Sequence, residues 1–353
     1  MADRLQTVII RADASIPTGS GHVMRCLTLA ESLAERGANV SFLCRELPGN
    51  LCDHIEARGF RTLRLAPEGN DAAESEAVLR KERPNLLIVD HYDLDTAWES
   101  PMRPHVGRIM VIDDLANRRH DCDLLLDQNY YADLDSRYRG LVPETCRLFL
   151  GPRHALLRRE FFAARSSMKE RDGTVTRVLV FFGGSDSTNE TGKVLDALAR
   201  FRGKNLSVDV VVGASNPRRE ELRKQCAAIP GVAFHCQVQN MARFMAEADF
   251  AFGAGGTATW ERCFLGLPTA AIVLAQNQLE VIRAVERGGA LRNLGWHDDV
   301  TVDRIVAELE WAMSNPGAVR EMGIRALALM GSGAAREESP LVRALLGEGD
   351  GSC

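Results

Sequence analysis

The stretch TGSGHVMRC (18–26) places His22 directly after two glycines, Gly19 and Gly21, where a helical pattern begins. Glycines at such a turn let backbone N–H groups approach an anion, and a helix start adds partial positive charge. The same charge disfavours a protonated imidazole. A neutral His22 beside a phosphate is suited to take a proton from water. Capping of the helix is the structural alternative for this histidine. The spacing does not match G-x-G-x-x-G, because Met24 stands where the third glycine belongs, and no G-K-[ST] follows to make a Walker loop. Arg25, in the same stretch, is a candidate substrate contact together with Gly19 and Gly21.

Other loops carry further candidates. DHYD (90–93) ends an apolar run, so Asp90, His91 and Tyr92 point to the ligand side. Tyr92 can hold substrate through its hydroxyl, and Asp90 and Asp93 can instead cap the next helix. Asp113 and Asp114 form an adjacent acidic pair, but without further ligand spacing a turn or cap outweighs a metal site. In FFGGSDSTNE (181–190), Gly183 and Gly184 can bring amides to a phosphate, and Asp186 can either join them or cap the following helix. GAGGTATWERCFLGLP (253–268) holds Gly255, Gly256 and Thr257 at the opening of a short helix, a second anion-binding start. Glu261, one turn further, can take both hydroxyls of a ribose. A surface acid is the alternative, weakened because the helix is otherwise apolar. Asn277 and Gln278 in AQNQLE (275–280) can bond sugar hydroxyls or acyl groups.

These loops need elements that aim them. TVIIRAD (7–13), NVSFLC (39–44), LLIVD (86–90) and RIMVID (108–113) read as strands alternating with helical patterns. Such near-continuous apolar runs mark a parallel sheet covered on both faces. A polar segment at 164–174 breaks the series. A second series follows at 177–184, 207–213, 232–236, 249–256 and 268–275. The expected architecture is α/β: two Rossmann-like domains whose parallel sheets face each other across a cleft, with ligands at the carboxyl ends of the strands. The expected boundaries are 1–165, 174–300, and a C-terminal helical segment at 301–353 ending in a frayed GEGDGSC.

Composition narrows the function. The 353 residues are 45% hydrophobic and 26% charged, with net charge −5, which gives no basic field for a nucleic-acid backbone. No apolar run approaches the ~18 residues of a membrane span, so no stable membrane association is expected. MADRLQTVII lacks the apolar stretch of a signal peptide, which predicts a cytoplasmic protein. Nine scattered cysteines without C-x-x-C predict reduced thiols and no zinc site.

The motifs RADASIPTGSGHVMRC, DHYDLD, DDLANRRHDCDLLLDQN, GPRHALLRREF, FFGGSD, GAGGTATWE and AQNQ occur in this order over about residues 7–300. As an ordered set they resemble the UDP-2,4-diacetamido-2,4,6-trideoxy-β-L-altropyranose hydrolases of pseudaminic acid biosynthesis, relatives of the MurG-type glycosyltransferases of the GT-B fold. The resemblance implies inverting attack by water at the anomeric carbon, releasing UDP without a metal or other cofactor. It implies that His22 activates the water, that Tyr92 and Asn277 contact substrate, and that Glu261 holds the uridine ribose. A nonulosonic acid decorating flagellin or another surface polymer is the implied destination. Two alternatives stay open: a GT-B glycosyltransferase using a UDP-acetamido sugar, and a non-catalytic nucleotide-sugar binding protein. Oligomeric state is not legible in the sequence.

Overall fold

A computed structural model describes residues 6–201, 206–331 and 339–348; of the terminal GEGDGSC, residues 349–353 lie outside the described residues. The chain forms two units. Among the described residues, unit 1 holds 6–129, 133–156 and 339–348, and unit 2 holds 130–132, 157–201 and 206–331.

Unit 1 is built on β1 (Thr7–Ala12), β2 (Asn39–Arg45), β3 (Arg61–Leu65), β4 (Leu86–Asp90), β5 (Arg108–Ile112), β6 (Leu124–Asp127) and β7 (Arg147–Leu150). They form one sheet in the order β3-β2-β1-β4-β5-β6-β7, with every neighbouring pair parallel. Successive residues of a strand face opposite sides, and both sides here are covered. Ile10, Phe42 and Ile88 pack with Leu29 and Leu33 of α1 (Gly21–Ala34). Between β2 and β3 runs the short α2 (Cys52–Ala57). On the opposite face Ile9, Leu87 and Val111 pack with Leu79 of α3 (Asp71–Glu82) and with Trp98 and Met102 of α4 (Thr96–Met102). Double coverage is why the central strands β1, β4 and β5 are apolar at nearly every position.

Unit 2 repeats the plan. Its strands are β8 (Arg177–Phe181), β9 (Ser207–Val212), β10 (Val232–Cys236), β11 (Phe250–Ala254), β12 (Thr269–Val273) and β13 (Arg292–Trp296), in the order β10-β9-β8-β11-β12-β13, again all parallel. The accompanying helices are α5 (Arg159–Ser167), α6 (Glu190–Arg200), α7 (Arg219–Ala228), α8 (Met241–Glu247), α9 (Ala258–Phe264), α10 (Gln276–Arg287), α11 (Val302–Ser314) and α12 (Pro316–Met330). The polar segment 164–174 begins inside α5 and folds within unit 2. Its Arg171 donates to the carbonyls of Met245, Ala246, Ala248, Leu265 and Gly266, at the ends of α8 and α9. A guanidinium there satisfies the orphan carbonyls and the negative pole of both helices.

Residues 301–353, grouped from the sequence, divide between the units. Helices α11 and α12 stay with unit 2, whereas α13 (Pro340–Leu346) joins unit 1. Leu341 and Leu345 enter the α1 side of the core, and Gln6 and Arg108 donate to the carbonyl of Leu345.

In each sheet the connection reverses direction once, between β1 and β4 in unit 1 and between β8 and β11 in unit 2. Open α/β sheets bind ligands at the carboxyl ends of the strands beside such a reversal.

Candidate active site

The unit 1 reversal is where His22 lies. After β1 the chain closes a small loop through hydrogen bonds between Ser15 and Gly19 in both directions. Gly19 has φ +78, a left-handed conformation that glycine adopts freely. A Cβ at Gly19 or Gly21 would meet nothing within 4 Å, so these backbones are open to a ligand. Helix α1 then starts at Gly21. Its N-cap, Ser20, makes no side-chain cap, and His22 turns away from the helix end toward β4.

His22 Nδ1 lies 2.6 Å from Asp90 Oδ1, at the last position of β4. Arg25, one turn along α1, donates Nε to Asp90 Oδ2 and Nη2 to Asp90 Oδ1, both at 2.6 Å. Its Nη1 reaches Asp114 Oδ2 at 2.8 Å. Burial alone would raise the Asp90 carboxyl. The charges of Arg25 and then His22 outweigh it and hold Asp90 far below the usual carboxylate range. An ionised Asp90 accepts only, so Nδ1 of His22 is the proton-bearing nitrogen. Arg25 Nη2 also lies 3.3 Å from that nitrogen, but a donor cannot bond a nitrogen that carries a proton, and the shorter carboxylate contact decides. The second ring nitrogen, Nε2, keeps its lone pair in the neutral ring. Eight percent of the His22 side chain remains exposed. Tyr92 stands edge-on to the imidazole, with ring centroids 4.4 Å apart.

A second layer fixes these groups. Asp13, just past β1, pairs with Arg11, accepts the Arg45 amide and lies 3.4 Å from His91 Nε2. The acidic pair is split between two tasks. Asp114 binds Arg25, while Asp113 accepts from Arg118, the Ala116 amide and the Tyr138 hydroxyl. Tyr138 also lies 2.9 Å from Asp127, the buried end of β6. Burial, with the nearby Asp114 charge, pushes the Asp127 carboxyl up to about 7. Neither Asp90 nor Asp93 caps α4; Asp95 does, accepting the Ala97 amide at 2.8 Å.

In unit 2 the candidates gather at the β8/β11 reversal. Gly183 and Gly184 follow β8; a Cβ at Gly183 would meet nothing within 4 Å, whereas one at Gly184 would meet Ser215 Oγ at 3.8 Å. Asp186 accepts the amides of Glu190 and Thr191, each at 3.0 Å, so both its oxygens cap α6. That is one of the two roles its position allows. Gly255, Gly256 and Thr257 form the turn between β11 and α9. The seven-residue α9 has little macrodipole, so anion affinity there rests on amides more than on helix length. Glu261 uses Oε1 to bind Arg158, at 2.9 and 3.1 Å. Burial pushes its carboxyl upward while Arg158 pulls the other way. Asn277 is exposed in the first turn of α10, and Gln278 accepts the Leu274 amide with its Oε1. Asp90, Asp114 and Arg158 were thus the partners that sequence reasoning did not assign. Among the described residues, no group of three or more His, Cys, Asp or Glu could hold a metal ion, and no helix is long and apolar enough to cross a membrane.

No protein-family model matches the chain. Among curated proteins it is 29% identical over 272 residues to the UDP-2,4-diacetamido-2,4,6-trideoxy-beta-L-altropyranose hydrolase of Campylobacter jejuni, covering 77% of this chain and 93% of that protein. It is 25% identical over 313 residues to the spore coat polysaccharide biosynthesis protein SpsG of Bacillus subtilis, covering 87% and 88%. An uncharacterized protein of Methanocaldococcus jannaschii is 25% identical over 279 residues, and the chain spans only 56% of its length. Among solved structures, MurG of Acinetobacter baumannii superposes with a TM-score of 0.64 at 13% identity, over 91% of this chain and 94% of that one.

Proposed function

We propose that this chain, a GT-B-fold protein similar in sequence to the Campylobacter altropyranose hydrolase, hydrolyses UDP-2,4-diacetamido-2,4,6-trideoxy-β-L-altropyranose and releases UDP. The observation that carries this reading is the 2.6 Å contact between His22 Nδ1 and an Asp90 held ionised by Arg25. A base oriented in this way presents Nε2 to a water molecule. The water oxygen bonds the anomeric carbon as the bond from that carbon to the phosphate oxygen breaks. The water proton passes to Nε2, Asp90 stabilises the resulting imidazolium, and UDP departs with the bonding electron pair. Attack opposite the leaving group inverts the anomeric centre. Tyr92, edge-on to the imidazole, helps fix its plane, and in this reading its hydroxyl contacts the sugar.

Unit 2 supplies the nucleotide-holding loops in this reading. Gly183, Gly184, Gly255, Gly256 and Thr257 offer amides to the diphosphate. Glu261 offers Oε2 to the ribose while Arg158 holds Oε1. Asn277 and Gln278 contribute amide groups. No step calls for a metal, so turnover is expected to persist in EDTA. Loss in EDTA with recovery on Mg²⁺ or Mn²⁺ would contradict this. By the same likeness, the reaction belongs to cytoplasmic pseudaminic acid synthesis and its product to a surface polymer such as flagellin. A second reading, sugar transfer to an acceptor, draws support from the MurG-like fold. Incubation with the UDP-sugar and no acceptor separates the two: multiple-turnover UDP release supports hydrolysis, and release only on adding an acceptor supports transfer.

A further inference from the structure

Glu261 and its neighbour Arg262 are partnered in opposite ways. Glu261 is paired with Arg158, whereas the Arg262 guanidinium, 2% exposed, hydrogen-bonds no carboxylate among the described residues. Its Nη2 donates to the Ala254 carbonyl at 2.6 Å and to Thr259 Oγ1 at 3.1 Å. Its Nε and Nη1 are buried without an acceptor. Burial pushes the group down to about 10 against the opposing influence of Cys263 and Glu261. A buried cation with unmet donors is costly to a fold unless an anion offsets it.

The place of this cation shows which anion. Ala254 ends β11 and leads into the Gly255–Gly256 turn. A Cβ at Gly253 would lie 2.6 Å from Arg262 Nη1 and 2.9 Å from the carbonyl oxygen of Phe181, the last residue of β8. Gly253 is therefore a glycine required by close approach: strand β11 gives up a side chain to seat the guanidinium. The charge lies beside the ends of β8 and β11, the two strands from which the glycine turns run on. We propose that Arg262 is a positioning residue, a fixed charge that holds and stabilises the diphosphate of a uridine nucleotide over those turns. It acts through the low-dielectric strand ends and through the Ala254 carbonyl, without touching the ligand. This rests on the nucleotide-sugar reading above. Negative charge on the diphosphate grows as the sugar leaves, so loss of Arg262 lowers kcat more than it raises KM.

Calorimetric binding of UDP, UMP and uridine to wild type, Arg262→Met and Arg262→Lys is the test. Arg262→Met is expected to weaken UDP about 10-fold or more while changing uridine less than about 2-fold, with UMP between. Arg262→Lys restores most of the UDP affinity. Equal losses for UDP and uridine, or no loss for UDP, overturn the assignment. Should Arg262→Met fail to fold, wild type still answers: the Arg262 Nε–H proton resonance shifts on adding UDP and not on adding uridine. An Nε–H resonance that UDP leaves unmoved also overturns it. Wild type that binds neither UDP nor uridine removes the nucleotide reading itself, and this inference with it.

Discussion

His22 and Asp90 meet because β1 and β4 are neighbours at the point where the unit 1 sheet reverses, although 68 positions separate them in sequence. The histidine was visible as a candidate from its glycine turn. Its partner was not, because an aspartate ending a buried strand reads equally well as a cap for the next helix. Only strand order distinguishes the two, and strand order is a long-range property. Two substitutions probe this scale. His22→Asn is expected to keep UDP binding and to lose turnover by about 10²–10⁴-fold, the usual share of a general base; single-turnover kinetics with UDP titration measure both. Asp90→Asn preserves shape but removes the charge that fixes the Nδ1 proton. It should cost about 100-fold or more in kcat with little change in KM. A near-normal rate in Asp90→Asn would leave His22 without its orienting partner.

At the scale of elements, central strands were legible and most of the unread ones lie toward the sheet margins. LLIVD and PTAAIVLA are buried on both faces and announce themselves as apolar runs. The edge strands β3, RTLRL, and β13, RNLGW, mix arginine, asparagine and glycine with few apolar positions. Strands β6 and β7, LLLD and RLFL, are four residues long and fall below the length at which periodicity speaks. Asp186 shows the same ambiguity at a helix end. With both oxygens on the α6 amides, Asp186→Ala is expected to destabilise unit 2 by about 0.5–2 kcal/mol and to leave UDP affinity unchanged. A selective loss of UDP binding would return Asp186 to the ligand. Strand β6 carries a pH-dependent element. Asp127 is raised to about 7 when folded, against about 3.9 for an unperturbed aspartate. The folded state therefore binds the extra proton, and this contribution to stability is complete below about pH 4 and lost as pH rises through about 7. Urea unfolding at pH 5 and pH 8 should show wild type weakening toward pH 8 and Asp127→Asn with a flatter dependence.

At the scale of the whole molecule, each unit carries its own sheet and core, and α13 returns to the unit that holds β1. Helix α13 buries Leu341, Val342 and Leu345 in unit 1, and each such side chain is worth about 1.5–3 kcal/mol on area grounds. No sequence pattern ties these residues to unit 1, since their partners lie some three hundred positions earlier. Truncation after Ser339 should lower the melting of unit 1 in calorimetry while leaving UDP binding, assigned to unit 2, in place. The central claim is that water, activated at His22, attacks the anomeric carbon. The most direct measurement is turnover of the UDP-altropyranose substrate in ¹⁸O water without acceptor, followed by mass spectrometry of both products. The account predicts UDP release with the label on the sugar and none on UDP. Label on the UDP would mean attack at phosphorus and would contradict it.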